Sequence, residues 1–176
     1  MRIGVPKKQG LYDPQFEHDS CGVGFVCNIS GERTNLTIRQ GLEVLRRLSH
    51  RGAVGADPKT GDGAGILIQM PHELFVEVCA KEGISLPSAD GYGTGLVFLP
   101  QDEKDRALCE TVLERAVKDE GQSLLGWRTV PVDDSVIGKT AKDTQPVIRQ
   151  VFIGKGNSSG DVLAFERKLY LISSTS

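Results

Sequence analysis

From Asn35 to Ser49 the apolar side chains Ile38, Leu42, Leu45 and Leu48 recur at helical spacing, while Arg39, Gln40, Glu43, Arg46 and Arg47 largely take the other side. The pattern predicts an amphipathic helix with Thr34 or Asn35 as its cap. Just before it, Gly22-Val23-Gly24-Phe25-Val26-Cys27-Asn28-Ile29 is nearly continuous in strand-forming residues, as expected of a strand buried on both faces, and Ser30-Gly31-Glu32 supplies a turn. Ile66–Met70 predicts a second short buried strand, and Pro71 is placed to open a helix over 71–81. Beyond it the pattern alternates: strand 93–99, helix 102–119 with Leu108, Val112 and Ala116 in one stripe, strand 123–132 around Trp127, strand 146–153, and helix 161–172.

Two stretches lack periodicity. Residues 1–20 hold two prolines and two glycines and read as an extended leader. Residues 50–65 hold five glycines in sixteen positions, too many for a helix or an ordinary strand, and so form a loop that needs unusual backbone freedom. No internal repeat and no interdomain linker stands out.

Composition narrows the function classes. The 176 residues are 39% hydrophobic and 25% charged, near the globular average, and suit one ordinary domain or part of a larger one. The formal charge of −2 from 21 basic and 23 acidic side chains leaves no electrostatic footprint for nucleic acid or a membrane surface. No apolar run approaches the ~18 residues of a membrane span, and the first residues lack a secretory signal, so a cytoplasmic location is expected. Cys21, Cys27, Cys79 and Cys109 show no CxxC spacing, and His18, His50 and His72 are too dispersed for a local metal motif, so no metal site is expected. The cysteines other than Cys21 fall in segments that read as core strand or helix.

Chemistry concentrates at two places. Cys21 stands where the leader meets an apolar strand, the position for a nucleophile that becomes residue one after cleavage. Its freed α-amine, with a reference pKa of ~7.7–8.0, would then take the thiol proton. The plainer alternative is a small apolar residue at a strand start. Gly22 and Gly24 remove side chains beside the thiol and would let a substrate amide approach. In the glycine-rich loop, Arg51 could pair with a substrate carboxylate, hold the catalytic strand, or brace the loop, with Gly52 beside it. Asp62, between Gly61 and Gly63, is simplest as a turn residue, and His50 could serve as a base or meet the end of the preceding helix. The loop fails both phosphate-binding patterns, since neither GxxxxGK[ST] nor GxGxxG occurs in it.

Taken together, Glu17–Val26 (EHDSCGVGFV), Leu45–Pro71 (LRRLSHRGAVGADPKTGDGAGILIQMP) and Phe165–Ile172 (FERKLYLI) resemble the glutamate synthase family, large-subunit type, at the start of its type 2 glutamine amidotransferase domain. The resemblance runs from Gly10 to about Ile172. It implies an α+β fold, the N-terminal-nucleophile αββα four-layer sandwich, incomplete in this chain. It further implies a propeptide over 1–20, the first portion of the amidotransferase domain over 21–176, and Cys21 as the catalytic nucleophile, with Arg51, Gly52 and Asp62 supporting the active-site loop.

The implied reaction is attack of the Cys21 thiolate on the glutamine side-chain amide, loss of ammonia and hydrolysis of a γ-glutamyl thioester. L-glutamine and the remaining glutamate synthase domains are the implied partners. The ammonia would serve a separate site acting on 2-oxoglutarate with FMN and an iron–sulfur cluster, none of which is expected in this chain. Related domains form the oxyanion hole with an Asn-Gly pair, and no asparagine here precedes glycine. The oxyanion-hole and substrate-carboxylate residues are therefore expected outside these residues, and a noncatalytic fragment with a binding or structural role is the alternative reading. A plastid replaces the cytoplasm if a transit peptide precedes the sequence.

Overall fold

The computed structural model describes residues 8–10, 22–48, 59, 63–156 and 162–174. It divides into two compact units, one of residues 1–68 and 137–140, the other of residues 69–136 and 141–176.

In the first unit the expected helix forms as α1 (Asn35–Arg47). Thr34 caps it by accepting from the Thr37 backbone N–H at 3.2 Å, and Glu43 pairs with Arg47 one turn on at 2.8 Å. Its inner face is Thr37, Ile38, Gly41, Val44, Leu45 and Leu48; Leu42, placed inside by the periodicity, is 46% exposed. The two strands expected around α1 do not form. Gly22–Asn28 and Gly63–Met70 carry no ladder pairing, and Val23, Phe25, Ile29 and Leu67 are 90–100% exposed. Apolar run length encodes a demand for burial, but a strand also needs a neighbour for its backbone N–H and C=O groups, and none of the described residues supplies one.

The second unit matches the pattern far better. Its elements are α2 (His72–Lys81), β1 (Tyr92–Leu99), α3 (Glu103–Asp119), β2 (Ser123–Thr129), β3 (Val147–Gly154) and α5 (Val162–Ser174); the short α4 (Lys139–Thr144) precedes β3, its first two residues being assigned to the first unit. Pro71 is the N-cap of α2 and so lies one position outside the helix. Asp102 caps α3 through the N–H groups of Lys104 and Asp105. Helices α2 and α3 end alike. Gly83 (φ 75°) and Gly121 (φ 71°) adopt the left-handed conformation, and the next N–H, from Ile84 or Gln122, returns to the carbonyl of Cys79 or Val117 at 2.9 and 3.0 Å. Both following residues are buried, so each glycine turns the chain directly into the core.

The three strands form an antiparallel sheet in the order β1-β3-β2, so β1 and β2 run parallel to each other and flank β3. This is a split β-α-β unit, with α3 connecting its outer strands. Val151 and Ile153 of β3, with Val97 and Trp127, pack against Leu113, Ala116 and Val117 of α3 and Leu169 and Ile172 of α5. On the opposite face Phe152, Tyr92 and Leu125 meet Phe75, Val78 and Cys79 of α2, with Ile84 and Leu86. Phe75 meets Phe152 edge-on with centroids 5.4 Å apart. A polar belt closes the first interface. Arg149 pairs with Glu110 at 2.6 Å and lies 5.4 Å over Trp127, whose indole N–H donates to Glu114 at 2.9 Å; Lys168 joins α5 to Glu120 at 2.6 Å.

Candidate active-site segments

Cys21, Arg51, Gly52 and Asp62, and with them His50, lie outside the described residues. What the structure does describe is the chain on either side of them. Gly22–Asn28 leads away from Cys21, α1 leads towards the glycine-rich stretch that holds Arg51, and Gly63–Met70 follows Asp62. Two close approaches tie these segments to α1. A Cβ built on Gly24 would lie 2.6 Å from Val44 Cγ1, and one on Gly41 would lie 3.0 Å from Ile66 Cδ1. Gly41 and Val44 are one turn apart on the same helical face. Gly24 therefore has a packing role that the sequence did not reveal: it lets the segment after Cys21 pass against α1.

The thiols and other ionisable groups sort by burial. Cys27 and Cys109 are exposed and only Cys79 is buried, which corrects the expectation that all three occupy core elements. Cys27 lies within the expected strand that does not form, and Cys109 faces outward from α3. Burial pushes the Cys79 thiol above its ordinary pKa, with the Arg128 charge acting in the other direction and Glu82 adding to the rise, so it is a poorer source of thiolate than a free cysteine. Burial likewise raises Tyr92, with Cys79 adding to the effect. The Tyr92 hydroxyl lies 3.1 Å from His72 Nδ1 at the start of α2, a contact that satisfies both polar groups at the layer boundary. Among the described residues no three His, Cys, Asp or Glu side chains converge as a metal site requires. None of their helices is long and apolar enough to cross a membrane.

The sequence model of the family described as Glutamine amidotransferases class-II matches residues 21–176, and its first matched residue is Cys21. The chain belongs to the class-II glutamine amidotransferases. Among curated relatives, this class-II amidotransferase chain is 48% identical over 168 residues to the glutamate synthase [NADPH] large chain of Bacillus subtilis, covering 96% of this chain and 11% of that protein. It is 40% identical over 157 residues to the chloroplastic ferredoxin-dependent glutamate synthase of Oryza sativa subsp. japonica, covering 88% and 10%. It is also 35% identical over 173 residues to the glutamate synthase [NADH] of Schizosaccharomyces pombe, covering 96% and 8%. The class-II amidotransferase chain thus spans about a tenth of these relatives' length. Their names give three different electron donors, so this portion is shared whichever donor is used.

Proposed function

We propose that this chain is the nucleophile-bearing portion of the glutaminase unit of a glutamate synthase, within an N-terminal-nucleophile αββα sandwich. The observation that carries the reading is the coincidence of the family match with Cys21 as its first residue, together with 48% identity to a glutamate synthase large chain. Residues 1–20 act as a propeptide. While they remain attached, the nitrogen of Cys21 is an amide and cannot accept a proton; once they are removed it is an amine that can. The Cys21 thiol then gives its proton to that amine, and the sulfur attacks the δ-carbon of glutamine to form a tetrahedral oxyanion. Collapse expels the amide nitrogen, which leaves as ammonia with the stored proton. Water cleaves the resulting thioester to glutamate and restores the thiol. Arg51, Gly52 and Asp62 shape the loop beside this centre. The ammonia passes to a synthase site on the remaining polypeptide, where 2-oxoglutarate and the FMN and iron–sulfur chemistry belong.

The test is a chimera in which this chain replaces the matching region of the Bacillus subtilis large chain. Glutamine-dependent glutamate formation is expected, and Cys21→Ala should abolish it while leaving synthesis from added ammonia intact. The N-terminus of the mature chimera should be Cys21. Glutamine-dependent synthesis that survives Cys21→Ala, or a chimera active with ammonia but never with glutamine, would refute the reading. A second reading, a noncatalytic binding or structural piece, is favoured by one observation: the exposed apolar side chains Val23, Phe25, Ile29 and Leu67 in unpaired segments. The chimera separates the two, because a noncatalytic piece would leave it active with added ammonia and never with glutamine.

A further inference from the structure

We infer that the outer edge of β1 is a docking edge for a further β-strand, contributed by polypeptide that follows α5 and running antiparallel to β1. The first support is the ladder itself. Lys155 N–H donates to the Gly91 carbonyl at 2.8 Å, and the two residues continue the β1–β3 register that pairs Tyr92 with Gly154. Because an antiparallel ladder alternates, Gly93, Gly95 and Val97 direct their backbone groups at β3, while Thr94, Leu96 and Phe98 direct theirs away from it. The other edge of β3 confirms the phase, since Val130 N–H donates to the Ile148 carbonyl. Leu96 and Phe98 also stand 56% and 65% exposed on the face that α2 covers only near Tyr92 and Phe152. The strand Tyr-Gly-Thr-Gly-Leu-Val-Phe-Leu carries no charge, proline or bulge to discourage pairing.

Connectivity identifies the occupant. The crossover from β1 through α3 to β2 passes over one face of the sheet and moves in one direction across it. Strand β3 runs opposite to β1, and its following helix α5 packs on that same face. A crossover of the same hand from β3 through α5 must therefore move in the opposite direction, past β1 to its free edge. The strand placed there would lie parallel to β3 and complete a second split β-α-β unit. Its alternate apolar side chains would cover Leu96 and Phe98. The edge of β2 is excluded on the same ground, and its register shift between Leu124 and Gly126 makes it a poorer template.

The experiment extends this chain beyond Ser176 with the residues that follow the matched region in the Bacillus subtilis large chain, about 15 of them, enough for a short loop and one strand. Amide hydrogen exchange is then compared with and without the extension. Thr94, Leu96 and Phe98 should slow by ~10-fold or more on extension, while Gly93, Gly95 and Val97 are protected in both forms. Leu96→Pro removes an outward N–H without touching the β1–β3 ladder, so it should cancel the gain in the extended form only. New protection at Trp127 and Thr129, or none at β1, would overturn the assignment. Concentration-dependent protection of Thr94, Leu96 and Phe98 in the unextended chain would also overturn it, because a second copy would then be the occupant.

Discussion

At the scale of single residues, two glycines make the sharpest claims. Gly24 lies in the segment leaving Cys21, and its missing side chain is what lets that segment pass Val44 of α1. Valine on a helix is held to essentially one rotamer, so Gly24→Ala cannot be absorbed by turning Val44 aside. The substitution should destabilise the contact by about 1–3 kcal/mol, the usual range for overpacking, and speed amide exchange along α1. Gly156 is tighter still, because an added Cβ would collide with the Gly121 backbone carbonyl, and a backbone yields less than a side-chain tip. Gly156→Ala should therefore lower the denaturation midpoint of the sheet unit by more than Gly24→Ala affects α1. Unchanged stability in both variants would show that these approaches are not structural constraints. Neither role was legible in the sequence. There Gly24 reads as clearing space for a substrate, since a glycine in one dimension shows that space is needed but not what occupies it. The candidate loop residues Arg51, Gly52 and Asp62 were legible only as a composition of glycine with charge, and as a resemblance.

At the scale of elements, every helix but α4 is legible in the sequence, and two of the five expected strands do not form. A helix satisfies its own backbone, so periodicity and caps such as Thr34 and Asp102 are sufficient evidence in the sequence for α1 and α3. Strands β1, β2 and β3 were placed within a few residues because their partners also lie in this chain. Gly22–Ile29 and Ile66–Met70 carry equally strong patterns, yet they remain unpaired and largely exposed among the described residues, with only Val26 and Met70 half-buried. Helix α4 went unseen because Lys-Thr-Ala-Lys-Asp-Thr has no apolar repeat to announce it. One layer makes a prediction about pH. Cys79 and Tyr92 both have raised pKa values from burial between α2 and the sheet, so each remains neutral in the fold at pH values where an unfolded chain would ionise it. Their contribution to stability is complete below the ordinary thiol and phenol values, ~8.5 and ~10, and is lost as pH rises from those values through the folded ones. Denaturation midpoints of the sheet unit should accordingly fall with rising pH from about 8.5, and Cys79→Ala should delay the onset of that fall while lowering stability at neutral pH through the cavity it leaves. A midpoint insensitive to pH up to the phenol range would contradict the buried assignment of the thiol.

At the scale of the whole molecule, the expectation is that residues 21–176 alone release little or no ammonia from glutamine, even with Cys21 correctly exposed. A nucleophile and its base are one residue in the proposed mechanism, so both would be present. What the mechanism also requires is fixed donors at the oxyanion, and removing even one such donor typically costs ~10²–10³ in rate. The Asn-Gly pair that related domains use for this purpose occurs nowhere in these 176 residues. The segment that leaves Cys21 is itself unpaired, with Val23 and Phe25 exposed at 92% and 90%, so its backbone is not held by a ladder. Loss of positioning compounds loss of charge stabilisation, because a misplaced nucleophile forfeits the orientation that makes an attack effectively unimolecular. The measurement is ammonia release by the purified chain against its Cys21→Ala control, alongside the chimera with the Bacillus subtilis large chain. Equal, near-zero rates from the two isolated forms, with glutamine-dependent activity in the chimera, would place the missing catalytic donors on the remaining polypeptide. Vigorous release that depends on Cys21 would mean that the oxyanion donors are within these residues, and that a backbone N–H here does the work assigned to the absent asparagine.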